Sequence, residues 1–271
     1  MVRKINREHV PFPMPDRPHA LSQEWRNLTF MHWEVEPCNL EPYIPDGLEI
    51  DLFEGKAYVG TIPFQMRNVR PRFLPAVPGI STVPEFNIRT YVKKNGIPGV
   101  LFLTLDAQSK ITCWHAPKAY GLPYRYAKCR LKKTDNSFQW YSKRVSDGVT
   151  LEGECSHVGE KMLAEANTLE YFLFERYSLY TEHNGKLHMA YTLHEPWVFQ
   201  EAEVSLKDNS LTEFYNLGID VMNPQYVHSS AGVYVLTWSI EEVDGGAREI
   251  SCFLMVIVDY ATDLPHSWIK D

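Results

Sequence analysis

The chain predicts an α+β fold, mostly antiparallel β, partly closed as a barrel or cone. Three observations point there. Short runs rich in Val, Ile, Tyr, Phe and Thr recur along most of the 271 residues, and two pairs of them flank an Asn-Gly turn. Only two segments carry full helix signals. So many strands in one open sheet would leave long unpaired edges, and closure removes them. No linker or composition shift divides the chain. A single domain over 1–271 is expected, with a proline-rich arm at 1–21 and a C-terminal tail at 242–271.

Taken in order, residues 48–53 and 57–64 read as a hairpin around Glu54-Gly55-Lys56. Residues 67–84 hold four prolines and a glycine and read as a long loop. Strands at 86–93 and 99–105 flank Asn95-Gly96. Asp106 is the expected N-cap of a helix over 107–120, with Pro117 disturbing its last turn and Gly121 ending it. Residues 131–145 form a second hairpin, and 149–157 another strand. Thr168 caps a helix over 169–176, and Asn184-Gly185 joins strands at 179–182 and 186–193. Later strands fall at 198–206, 232–240 and 249–259, with short helices near 38–44 and 211–217.

Composition excludes several classes. With 13% aromatic and 44% hydrophobic residues, the chain has enough apolar content to pack, so disorder is not its main state. The longest apolar run, 250–258, is far short of the roughly 20 residues of a helical span, so no membrane partner is expected. Thirty-four Asp+Glu against 27 Lys+Arg give a net charge of −7, a poor match to nucleic acid. The first 20 residues lack an apolar h-region, which predicts a cytoplasmic protein. Five widely spaced cysteines without a C-x-x-C predict free thiols and no metal site. Nucleotide fingerprints, nucleophile elbows and H-E-x-x-H are absent from the sequence, so no cofactor is expected.

Four clusters carry candidate chemistry. In 85–91, a strand places Glu85, Asn87, Arg89 and Tyr91 on one face and Phe86, Ile88 and Thr90 on the other. The polar face either turns to water or walls a cleft, where Arg89 would grip a carboxylate and Glu85 would act as acid or base. In 121–127, Tyr124 and Tyr126 share a face and Arg125 takes the other. Glu175-Arg176-Tyr177 reads as a surface ion pair at a helix end. His194-Glu195-Pro196-Trp197 reads as an extended bend anchored by the tryptophan, with His194 in a hydrogen-bonded structural pair. Arg176 and His194 are also kept as candidate ligand contacts, beside Asn87, Arg89 and Tyr126.

These clusters, with 22–30 and 59–64, resemble the bacterial YqjF-like family of the acetoacetate decarboxylase-like superfamily over about residues 11 to 240. The resemblance implies a β cone with a central cavity. True acetoacetate decarboxylases carry Gly-x-Pro-Lys-Lys, whose first lysine forms a Schiff base. The matching run here is Gly121-Leu122-Pro123-Tyr124-Arg125, so Tyr124 falls at the lysine position and Arg125 keeps the neighbouring cation. Glu85 matches an acidic residue of the decarboxylase cavity. A phenol forms no imine, so that mechanism is closed at position 124. Lys118 and Lys128 are the nearby alternatives, each better read as a solvated surface lysine.

Two functions stay open. One is enzymatic: Glu85 as acid/base, with Tyr124 and Arg125 polarising a carbonyl or enolate oxygen of a small oxo compound. The other is a non-catalytic binding protein using the same cavity, with arginines as anchors and aromatic walls. The partner expected in both is a small carboxylate or carbonyl compound, with room for a homo-oligomer.

Overall fold

The computed structural model describes residues 3–77 and 81–243. Its strands are β1 (Leu21–Val35), β2 (Glu49–Ile50), β3 (Ala57–Pro71), β4 (Val83–Lys94), β5 (Ile97–Ala107), β6 (Tyr124–Lys133), β7 (Ser137–Arg144), β8 (Thr150–His157), β9 (Met162–Leu163), β10 (Ser178–His183), β11 (Lys186–His194), β12 (Val198–Asp208), β13 (Tyr226–Thr237) and β14 (Glu241–Glu242). The helices are α1 (Pro37–Leu40, continued by a 3-10 turn), α2 (Lys110–Tyr120), α3 (Leu169–Phe174) and α4 (Ser210–Glu213). No helix among the described residues is long and apolar enough to cross a membrane.

The sheet is a partly closed ring that branches twice. Strands β13, β1, β3, β4 and β5 form a common antiparallel wall. The far edge of β5 splits, pairing in parallel with β10 at Val100–Leu101 and with β6 at Leu105–Ala107. The far edge of β13 splits too, to β12 and to β11. One lobe, β6–β7–β8–β12, closes on one face of the wall, and a second lobe, β10–β11, closes on the other.

Strand alternation sends neighbouring wall residues into two different cores. Met31, Trp33, Val59, Phe86 and Ile88 pack with Ala127, Phe138, Trp140 and Leu151 of the first lobe. Phe30, Tyr58, Ile62, Phe64 and Tyr91 pack with Leu173 and Phe174 of α3 and with Trp197 and Phe199. The wall is therefore buried on both faces, so the polar residues it carries must find partners inside the fold.

The two Asn-Gly turns form as expected, with Asn95, Gly96, Asn184 and Gly185 all at positive φ between 52° and 78°. Thr168 caps α3. Several expectations are corrected. The strand β1 was not anticipated, and it is the centre of the wall. The loop expected from residue 67 begins only after Pro71, because β3 runs on beside β1. The strand expected at 48–53 shrinks to Glu49–Ile50. Asp106 does not cap α2. It stays in β5, buried against Arg144, and Ser109 caps the helix instead. The helix passes through Pro117 to Tyr120 before Gly121 ends it in the left-handed region. The strand expected at 249–259 lies outside the described residues. Cys38, Cys113, Cys129 and Cys155 are free thiols.

The N-terminal arm is strapped across β11 and β13. Ile5 is buried with Leu193, Tyr234, Leu236 and Trp238. The indole of Trp238 donates to the Arg17 carbonyl at 2.8 Å.

Candidate functional site

Register explains how the polar residues meet. One rung across the sheet runs Phe64–Glu85–Ala107–Tyr126, and the next runs Ile62–Asn87–Leu105–Tyr124. A third runs His32–Gly60–Arg89–Phe102. All three rungs lie on the wall face that carries Ile62 and Phe64, the side of the second core. Glu85, Asn87, Arg89, Tyr124 and Tyr126 thus share one face, as the strand pattern at 85–91 and 124–126 requires.

Glu85 and Asn87 are 3% and 1% exposed, so their polar atoms must find protein partners or a ligand. The Tyr124 hydroxyl donates to Glu85 Oε2 at 2.6 Å. Between their strands Ala107 offers only a methyl group, which lets the phenol reach diagonally across β5. Burial raises the Glu85 carboxyl to about 7, against the opposing pull of hydrogen bonds from Tyr124 and Asn87 and of the Arg89 charge. Burial and the adjoining carboxylate push the Tyr124 phenol well above its ordinary value, so it stays protonated.

Arg89 is the cation of the face. Its Nε donates to Asn87 Oδ1 at 3.1 Å, and its guanidinium lies 5.8 Å from the centre of the Phe102 ring. It makes no ion pair with any described residue. Burial disfavours its charge.

His32 was missed by the sequence reading because β1 was not read as a strand. It is fully buried, and its Nε2 lies 2.7 Å from the Tyr91 hydroxyl while Nδ1 has no partner. Gly60 makes room for that ring, since a Cβ there would stand 2.7 Å from His32 Nε2. Burial holds the imidazole well below its usual pKa, and hence neutral, while Tyr91 is pushed up to about 12.

Three expected site residues fall elsewhere. Arg125 is exposed on the face of β6 opposite Tyr124, as alternation dictates, and does not join Glu85. Arg176 is buried, not a surface partner of Glu175. Its Nη1 donates to Asp51 at 2.6 Å, its Nε donates to the Phe172 carbonyl at 2.6 Å, and its guanidinium stacks on Phe172 and Tyr91. His194 belongs to a knot that joins two sequence motifs. Buried Glu175 accepts from the Tyr177 hydroxyl and, at 2.8 Å, from the Trp197 backbone N–H. His194 stacks on Tyr177 at 4.7 Å, and His9 of the N-terminal arm donates to the His194 carbonyl at 2.7 Å. Lys118 and Lys128 are exposed, and Lys118 sits over the Trp114 ring.

The family model DUF2071, described as an uncharacterized conserved protein, matches residues 22–234. The uncharacterized protein YqjF of Bacillus subtilis (strain 168) is 33% identical over 230 residues, which are 84% of this chain and 95% of that protein. Acetoacetate decarboxylase from Legionella pneumophila is a structural neighbour at TM-score 0.59 and 14% identity, covering 87% of this chain and 93% of that one. The enduracididine biosynthesis enzyme MppR, complexed with pyruvate, aligns at TM-score 0.53 and 11% identity over 86% of this chain and 91% of that one. The fold is acetoacetate decarboxylase-like.

Proposed function

The chain belongs to the DUF2071 family, and on that premise we propose that Glu85, Tyr124 and Arg89 bind a small oxo acid and that Glu85 exchanges a proton with it without a Schiff base. The observation that carries this reading is a deep cation that closes no ion pair with a described residue, on the same strand face as a carboxyl group whose pKa is raised to about 7. An unpaired guanidinium in such a place is costly unless an anion joins it. A substrate carboxylate supplies that anion in forked geometry.

Each group then has a defined part. The terminal Arg89 nitrogens hold the carboxylate. The ionised Glu85 takes the proton from the carbon beside the keto group. As that carboxyl becomes neutral it releases the Tyr124 hydroxyl, which turns to donate to the developing enolate oxygen. Reprotonation at carbon reverses each step. Tyr124 and Arg89 lie deep in the fold yet keep accessible surface, which supports a cavity at this face. Among the described residues no lysine is buried, which supports a route free of imine chemistry. MppR in complex with pyruvate is the structural neighbour that suggests the substrate class.

Exchange of the pyruvate methyl protons for deuterium, followed by NMR, tests the proposal. The wild type should catalyse exchange, and Glu85→Gln should lower the rate by at least about 100-fold while the protein stays folded. Pyruvate that raises the melting temperature without exchange would select the binding-protein reading instead. Neither exchange nor stabilisation would refute both.

A further inference from the structure

We propose a second ligand site, for a small oxyanion, in the cleft at the open end of the first lobe. The cleft measures about 420 Å³ and is lined by Lys133, Asp135, Asn136, His157, Lys161 and Gln200, together with Phe138 and Ala231. None of these residues belongs to the Glu85 face.

Its polar groups come from three strands and two connecting segments. Lys133 ends β6, and Asn136 lies in the turn before β7. His157 ends β8 and Gln200 lies on β12, while Lys161 follows β8. Neither Lys133 nor Lys161 makes an ion pair with any described residue. Asp135 is the single carboxylate in the lining, so two ammonium groups leave a net positive cleft on a chain of charge −7.

His157 gives the cleft an oriented imidazole. Its Nδ1 lies 2.7 Å from Oγ of Ser229, which is buried and has this ring as its partner. The ring is held edge-on to Phe138, 4.6 Å between centroids. The His157 backbone N–H donates to the Asn136 carbonyl at 3.1 Å, tying the turn to the strand end. With Nδ1 engaged by the serine hydroxyl, Nε2 is the ring nitrogen left for the cleft. Burial and the Lys133 charge lower the His157 pKa. An anion between them would reverse that second effect. Two ammonium groups, an imidazole and two side-chain amides surround one space and suit a phosphate or carboxylate group, although the Gln200 amide also donates to the Gly159 carbonyl at 3.0 Å.

The test is titration of the full chain with inorganic phosphate and, separately, acetate at constant ionic strength, reading the His157 imidazole by NMR. One of the two anions should shift that resonance saturably and raise the His157 pKa, and the pair of arms tells a phosphoryl group from a carboxylate. Lys133→Ala with Lys161→Ala should weaken binding at least tenfold, and Arg89→Met should leave it unchanged. Both lysines are exposed, so the double variant is expected to fold. A His157 resonance unmoved by either anion, or moved equally by chloride, would overturn the proposal. So would binding that is unaffected by the double variant.

Discussion

The Tyr124 hydroxyl reaches Glu85 from two strands away, across a residue that offers only a methyl group, and closes a 2.6 Å hydrogen bond. The carboxyl that accepts it is buried, has its pKa raised to about 7, and shares its strand face with Arg89, which attracts it without closing an ion pair. Polar groups placed this way lower the stability of a core.

Glu85 therefore imposes a pH dependence of definite sign. Its folded pKa of about 7 lies above the unfolded value, so the folded state holds the extra proton and loses stability as pH rises from about 4.5 to 7. The loss at pH 8 is about 3 kcal/mol. Glu85→Gln should be more stable than wild type by about that amount at pH 8, with the gap closing toward pH 4.5 in urea unfolding. Buried His32, His194 and His228 act in the opposite direction. Their depressed pKa values make stability fall as pH drops below 6.5 in both proteins.

Arg89→Met keeps most of the side-chain stem and removes the charge. With no ion pair to break, the variant should melt at or above the wild-type temperature at pH 7. Any stabilisation by pyruvate should disappear. Thermal unfolding with and without 10-fold steps of pyruvate reads both outcomes together.

Gly60→Ala should cost about 1–3 kcal/mol, because the new methyl group collides with the His32 ring between two paired strands. The His32–Tyr91 hydrogen bond should break with it. Chemical denaturation gives the energy, and the NMR resonance of His32 reports the displaced ring.

Glu175→Ala removes the acceptor of both the Tyr177 hydroxyl and the Trp197 backbone N–H. Leaving two buried donors unpaired should destabilise the protein by about 2–5 kcal/mol. Near-ultraviolet circular dichroism, which senses the ordering of Trp197 and Tyr177, should weaken at the same time.

The sequence made much of this legible. The alternation at 85–91 placed Glu85, Asn87 and Arg89 on one face, and both Asn-Gly turns formed. The architecture, sheet-rich with few helices and a partly closed ring, was also readable. The misses share one cause. In a wall buried on both faces, polar residues such as His32 and Asp106 are held by cross-sheet partners far away in sequence, here Tyr91 and Arg144. Asp106 looked like a helix cap because its true partner is 38 residues distant. The segment around His32 lacks a period-2 pattern because both of its faces meet a core. Arg176 looked solvated because the aromatic rings that cover it come from α3 and β4. Arg125 was placed in the site by motif position, while alternation alone puts it on the other face.

Borohydride trapping read by intact mass addresses the central claim most directly. The protein is incubated with pyruvate or acetoacetate, reduced, and compared with an unreduced control. The Glu85–Tyr124–Arg89 account predicts no adduct at concentrations that raise the melting temperature. A stoichiometric adduct would contradict it, and peptide mapping would identify the lysine that forms the imine.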